Sequence, residues 1–215
     1  MRDSIEDVDK NLKFNRDRWG NPEYWCGKDQ YGYRWNGGFQ QTVGGFAKFA
    51  DQFLRPFVGE RYDHRVLELS PGGGRFTAEL IRYAARIDLL DMNAACLDVC
   101  RERFKFYPIE MGFFQNDGKS CSVVSGNSYS LITCFDSMVH MHPDIIKGYV
   151  DQLARCLEPK GILWLDHSGK GKRDAGHRTE MTPETMARFG LGAGLKLVNQ
   201  TFRNDHDCIS VFVRD

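Results

Sequence analysis

The residues best placed to bind a ligand lie in one stretch, Val66-Leu67-Glu68-Leu69-Ser70-Pro71-Gly72-Gly73-Gly74-Arg75-Phe76-Thr77. A short apolar run enters three glycines and leaves as a helix, and glycine lets the backbone approach a ligand where any side chain would block it. Glu68, just ahead of the bend, would repel a pyrophosphate and suits a cationic amino group. Thr77 stands three residues past Gly74, where a G-x-G-x-x-G dinucleotide loop needs its last glycine. Asp91, in Leu89-Leu90-Asp91-Met92-Asn93, can accept both hydroxyls of a ribose, a device that several kinds of nucleotide-binding enzyme share. Asn116-Asp117-Gly118 offers polar groups to an adenine edge. Together these positions favour a nucleoside without phosphates.

Proton transfer has its own candidates. His140 and His142 flank Met141, His167 follows Asp166, and His177 sits in Gly176-His177-Arg178. Histidine exchanges protons near neutral pH, which suits a general base. Asp136 and Asp166, with His167 beside the second, could hold Mg²⁺ against a vicinal diol, although a metal-free site is favoured. Lys170, Lys172, Arg173 and Arg178 form a Gly-broken basic segment able to attract an anionic substrate.

These positions need a scaffold that gathers them. Strand-like runs at 65–69, 86–90, 109–114, 130–135 and 161–165 alternate with helical spacing at 75–85, 93–104 and 143–157. That alternation predicts right-handed crossovers and a parallel sheet with helices on both faces. Thr182-Pro183-Glu184 opens a further helix, and strands at 195–202 and 208–213 are joined by the polar turn Asn204-Asp205-His206-Asp207. The expectation is an α/β, Rossmann-like, seven-stranded and mostly parallel sheet ending in an antiparallel hairpin. Residues 1–60 hold an aromatic arm, with Trp19, Tyr24, Trp25, Tyr31 and Trp35, and a first helix over 42–58. Residues 61–215 form the binding domain, one globular unit.

Bulk composition narrows the function. The 215 residues are 41% hydrophobic and 27% charged, which is globular. Lys+Arg and Asp+Glu stand at 29 each, so the basic excess of a nucleic-acid partner is missing. The chain has no run of about 20 apolar residues for a membrane span and no apolar leader at its start. Seven scattered cysteines without a C-x-x-C pair read as cytoplasmic thiols, and Cys96 and Cys100, one turn apart, lack histidine partners for a metal. Nothing in the spacing specifies an oligomer.

The stretch Glu68 to Gly74 resembles the acidic-x-Gly-x-Gly-x-Gly motif of class I S-adenosylmethionine-dependent methyltransferases, with Glu68, Gly72 and Gly74 matching and Ser70 in place of the first glycine. The resemblance covers roughly Arg65 to Val213 and includes Leu157-Glu158-Pro159-Lys160-Gly161, similar to a turn before the fifth strand. It implies S-adenosyl-L-methionine as cofactor and S-adenosyl-L-homocysteine as product. The implied contacts are Glu68, Ser70, Gly72, Gly74, Asp91, Met92, Asn116, Asp117 and Phe135. The segment Phe135-Asp136-Ser137-Met138-Val139-His140 is similar to one found in small-molecule and sugar O-methyltransferases. That closer likeness implies a hydroxyl acceptor, such as a sugar, phosphorylated or natural-product-like molecule. Catalysis then falls to His140, His177 and Asp136, and acceptor binding to Arg178, His142, His167 and Tyr31. Methylation of nitrogen or sulfur, a nicotinamide-dependent oxidoreductase and a non-catalytic cofactor-binding subunit are the alternatives. Nucleic-acid methylation is disfavoured, because no Asn/Asp-Pro-Pro-Tyr segment follows the fourth strand.

Overall fold

A computed structural model of the chain describes residues 7–25, 31–33, 43–124, 129–171 and 178–215. Strands β1 (His64–Leu69), β2 (Ala84–Asp91), β3 (Glu110–Gln115), β4 (Tyr129–Cys134) and β5 (Leu157–Ser168) pair in parallel. Strands β6 (Leu195–Phe202) and β7 (Asp207–Arg214) form the terminal hairpin, and β7 lies between β5 and β6, antiparallel to both. The order is therefore β3-β2-β1-β4-β5-β7-β6, a Rossmann-like α/β sheet of seven strands with β7 alone reversed. The order changes direction between β1 and β4, and the loops after the strands on either side of that point gather at one edge, where open α/β sheets bind ligands.

The described helices are α1 (Val8–Trp19), α2 (Val43–Phe53), α3 (Arg55–Val58), α4 (Thr77–Leu80), α5 (Ala94–Phe104), α6 (Pro143–Cys156) and α7 (Pro183–Gly192). Strand periodicity divides the core in two. In β1, Leu67 and Leu69 point to the face covered by α6 and α7, against Ile146, Tyr149, Leu153 and Met186. Val66 points to the other face, with Phe46 and Phe49 of α2 and Leu97 and Phe104 of α5. Both faces of the central strands are thus covered, which is why those strands read as continuous apolar runs. Each fully buried Leu or Phe contributes about 1.5–3 kcal/mol relative to exposure.

Three elements differ from the sequence expectation. The helix expected over 75–85 shortens to α4, because the Tyr83 carbonyl accepts from the His64 N–H at 3.0 Å and draws the chain into the sheet, so that β2 starts at Ala84. The turn expected at 157–161 lies within β5, where Lys160 adopts φ +66° and the pairing with β4 shifts register. Helix α1 arises in a segment without apolar periodicity. Its buried residues are Asn11, Leu12 and Asn15, a mostly polar face that hydropathy cannot flag. Asp7 caps this helix, accepting the N–H groups of Asp9 and Lys10 at 3.0 Å each. The six described cysteines are free and buried, and no described helix is long and apolar enough to cross a membrane.

Candidate active site

Where β1 ends, Ser70 donates its N–H to the Leu90 carbonyl at 2.7 Å and turns the chain over the neighbouring strand. The bend requires left-handed backbone at Ser70 (φ +57°), Gly72 (φ +55°) and Gly74 (φ +77°). Glycine adopts this conformation freely, whereas serine there costs roughly 1–2 kcal/mol. Ser70→Gly should therefore stabilise the protein by about 1 kcal/mol and raise the melting temperature by about 2–4 °C. An unchanged or lower temperature in thermal denaturation would contradict this. At Gly74 a Cβ would lie 2.5 Å from the Phe104 ring, so the same residue also lets α5 pack against the loop.

The loop forms one wall of a cavity of about 260 Å³. Glu68, Ser70 and Gly72 line it from β1, Asp91 and Met92 from β2, and Phe135 and Asp136 from the end of β4. Helix α1 contributes Asn11, Leu12, Asn15 and Trp19, and the arm beyond it adds Trp25. Trp25 donates its indole N–H to the Trp19 carbonyl at 2.8 Å, and its ring lies where a side chain on Gly72 would stand. His140, on the short 3₁₀ turn Met138–His140, tilts its ring against Trp19 with centroids 5.0 Å apart.

Two buried carboxyls face this space. Burial pushes Glu68 up to about 8, even though the Thr77 hydroxyl donates to it at 2.5 Å. Burial likewise raises Asp91 to about 6, against the N–H of Asn93, which donates at 2.8 Å. Asp91, ionised at neutral pH, would repel a pyrophosphate, whereas a cationic nucleoside fits the pair and favours the carboxylate form of Glu68 as well. S-adenosylmethionine, which carries a ribose, an ammonium and a sulfonium, matches this donor set.

Beneath the cavity lies a buried ionic network that the sequence did not reveal. Asp136 accepts from Arg75 at 2.8 Å and from Arg203 at 2.7 Å. Arg203 also donates to Asp166 at 2.8 Å and pairs with Asp207 at 3.0 Å. Arg178 grips Asp207 through two contacts of 2.5 and 2.7 Å. Burial alone would raise Asp136, yet Arg203 and Arg75 outweigh it and hold the carboxyl at about 2. Burial pushes Asp166 up to about 7 despite Arg203.

This arrangement corrects several expectations. Asp136 lines the cavity, but as an arginine-clamped carboxylate it is a weak proton acceptor, so its place is in positioning rather than proton transfer. Arginines hold both Asp136 oxygens and Asp166 Oδ1, and the Asp136 N–H donates to Asp166 Oδ2 at 2.8 Å, so the oxygens that a Mg²⁺ ion would need already have partners. His167 is fully buried, with its ring nitrogens 2.7 Å from the Ser210 hydroxyl and 2.8 Å from the Ser168 carbonyl, and burial lowers it to about 4. It does not line the cavity. His142 caps α6 by accepting the Asp144 N–H, also off the cavity wall. Tyr31 lies outside the lining and packs its ring under the Arg103 guanidinium at 4.0 Å.

In the segment expected to meet an adenine, Gly118 lines the cavity while Asp117 is exposed and accepts the N–H groups of Lys119 and Ser120. Asn116 bonds the Ser120 carbonyl and the Tyr149 hydroxyl, and Gly74 supports the loop from behind; neither lines this cavity. Arg178 does line it. His177, Lys172, Arg173 and Trp35 lie outside the described residues. Arg75, Arg203 and Asp207 escaped the sequence reading because they are far apart in the chain. Asn11, Asn15 and Trp19 had a local signal, a spacing of four that places them on one helical face.

A mostly parallel sheet with a reversed seventh strand, a glycine bend after β1 and a buried carboxyl at the end of β2 is the arrangement expected of class I S-adenosylmethionine-dependent methyltransferases. Residues 66–161, just under half of the chain, match the methyltransferase domain family. Among solved structures, the PH0226 protein from Pyrococcus horikoshii superposes with a TM-score of 0.69 at 15% identity, covering 94% of this chain and 99% of that one. An S-adenosylmethionine-dependent methyltransferase from Mesorhizobium loti gives 0.66 at 13% identity, covering 80% and 100%. In sequence, the ubiquinone biosynthesis O-methyltransferase of Cronobacter sakazakii is 24% identical over 113 residues, 53% of this chain and 46% of that relative. The chain thus matches less than half the length of that relative.

Proposed function

We propose that the chain transfers the methyl group of S-adenosylmethionine to a hydroxyl of a small molecule, with His140 as general base. One observation carries this reading: among the described residues, His140 is the one histidine on the cavity wall. Glu68, Ser70, Gly72, Asp91, Met92 and Phe135 would hold the cofactor, Glu68 against its ammonium and Asp91 against its ribose. When bound, the cofactor supplies a methyl group already activated on a sulfonium. What remains for the protein is to hold the acceptor in line and remove the hydroxyl proton. The imidazole of His140 takes that proton, and Trp19 restricts the ring. Asn11 and Asn15 both donate to the His140 carbonyl, at 3.0 and 3.1 Å, and so fix its backbone.

Helix α1 and Trp25 serve as a lid in this reading, closing the cavity and excluding water. The name of the Cronobacter relative supports a hydroxyl acceptor, and Arg178 at the cavity wall suits one that also carries an anionic group. The test is a screen of aromatic, sugar and sugar-phosphate hydroxyls, followed by His140→Ala on the best acceptor. The variant should lose about 10²- to 10⁴-fold in kcat while S-adenosylhomocysteine affinity holds. Full turnover would remove His140 from the role and turn the reading to nitrogen or sulfur acceptors, which need no strong base.

A further inference from the structure

Two asparagines of α1 face the cavity, and their hydrogen bonds fix which way each amide points. The His142 N–H donates to Asn11 Oδ1 at 3.0 Å, so that atom is an oxygen. Asn15 places one amide atom 3.2 Å from this oxygen and 3.1 Å from the His140 carbonyl. Both neighbours are acceptors, so the atom between them is Nδ2. Asn15 Oδ1 is left on the other side, buried and without a hydrogen-bond partner, in a residue that is 8% exposed and lines the cavity. A buried carbonyl oxygen without a partner is costly, and such atoms are rare unless something reaches them.

The surroundings of α1 say what reaches this one. One turn before Asn15, Leu12 converges with Met92 on Gly118, where a Cβ would meet both. One turn after it, the Trp19 carbonyl accepts from Cys96 Sγ at 3.5 Å. Gly20 packs on the Asn93 side chain. The helix therefore runs along the ends of β2 and β3, over Asp91, where the nucleoside half of the cofactor is held.

We propose that Asn15 is a further cofactor-binding residue, whose Oδ1 accepts a hydrogen bond from a hydroxyl or amino group of the nucleoside. The inference rests on the methyl-transfer reading of the cavity and is independent of His140 as base. It makes the N-terminal helix a reader of the cofactor as well as a cover. Asn11, whose oxygen and nitrogen are both taken up by protein groups, is a positioning residue.

The test is calorimetric titration of the full chain with S-adenosylhomocysteine and with 5′-methylthioadenosine, which keeps the nucleoside and lacks the amino acid. Asn15→Ala and Asn15→Leu should bind both ligands about tenfold more weakly. Asn11→Ala, which loosens the same loop and removes one acceptor of Asn15 Nδ2 but leaves the shorter bond to the His140 carbonyl to orient the amide, should lose less than threefold. Melting curves identify which Asn15 variant is folded. Wild-type affinity in a folded Asn15 variant would overturn the proposal. So would an equal loss in Asn11→Ala, or a loss confined to S-adenosylhomocysteine. Failure of the base assignment would instead appear as full turnover in His140→Ala, without bearing on these affinities.

Discussion

Arg203→Met should cost the protein about 3–5 kcal/mol and lower its melting temperature by on the order of 10 °C. The guanidinium is 6% exposed and touches three acidic side chains: Asp136 at 2.7 Å, Asp166 at 2.8 Å and Asp207 at 3.0 Å. Replacing it with an apolar side chain of similar length keeps the packing and leaves the carboxylates without their shared cation. Arg75 and Arg178 can compensate at Asp136 and Asp207, but Asp166 has Arg203 as its one ion-pair partner among the described residues. The pH dependence separates lost charge from lost packing. In the wild type, Asp136 is held near 2, below its ordinary value of 3.8. Its contribution to stability is therefore present above pH 3.8 and is lost as pH falls through 2. In the variant the unpaired carboxyls titrate upward and prefer to be protonated. The deficit should narrow as pH falls from 7 to 5, and a constant deficit in denaturant melts would assign the loss to packing alone. Lys147→Ala, which breaks an exposed pair with Asp151, should leave the melting temperature nearly unchanged.

S-adenosylhomocysteine should bind with release of a proton and tighten by up to about tenfold per pH unit between pH 6.5 and 8. Burial pushes Glu68 up to about 8, so the carboxyl is mostly protonated at neutral pH in the free protein. A ligand ammonium set against it favours the carboxylate, and the proton must leave. Asp91, raised only to about 6, is mostly ionised across this window and contributes little to the slope. Titration in phosphate and in Tris, buffers of unlike ionisation heat, counts the protons released, and Glu68→Gln should abolish both the release and the slope. Equal heats in the two buffers would show that Glu68 does not meet the ammonium. In the free protein the sign is opposite. A carboxyl raised from 4.5 to about 8 contributes stability below pH 4.5 that is lost as pH rises through 8. Glu68→Gln should therefore gain stability over the wild type as pH is raised. The site thus gives up stability at neutral pH that a cationic ligand can restore.

Much of the scaffold is written in local patterns. Short apolar runs mark the strands, Pro183 and Thr182 mark the start of α7, and the triple glycine marks a bend whose backbone few other residues tolerate. These signals act within a few residues, so the sequence alone determined the alternating sheet, its terminal hairpin, and the glycine loop with Glu68 before it and Asp91 one strand away. Ser70 shows the edge of that legibility, since its type argues against a left-handed turn that its neighbours nevertheless impose. Roles set by distant partners could not be read in this way. Asp136 looked like a catalytic residue from its place in the segment Phe135 to His140, and only the fold brings Arg75 and Arg203 to it from 61 and 67 residues away. His140, His142 and His167 read alike in sequence, yet the tertiary structure leaves one on the cavity wall, makes one a helix cap and seals one against Ser210. The reason is physical: whether a titratable side chain can do chemistry depends on burial and on the charges beside it, and both are set by segments that meet only after folding.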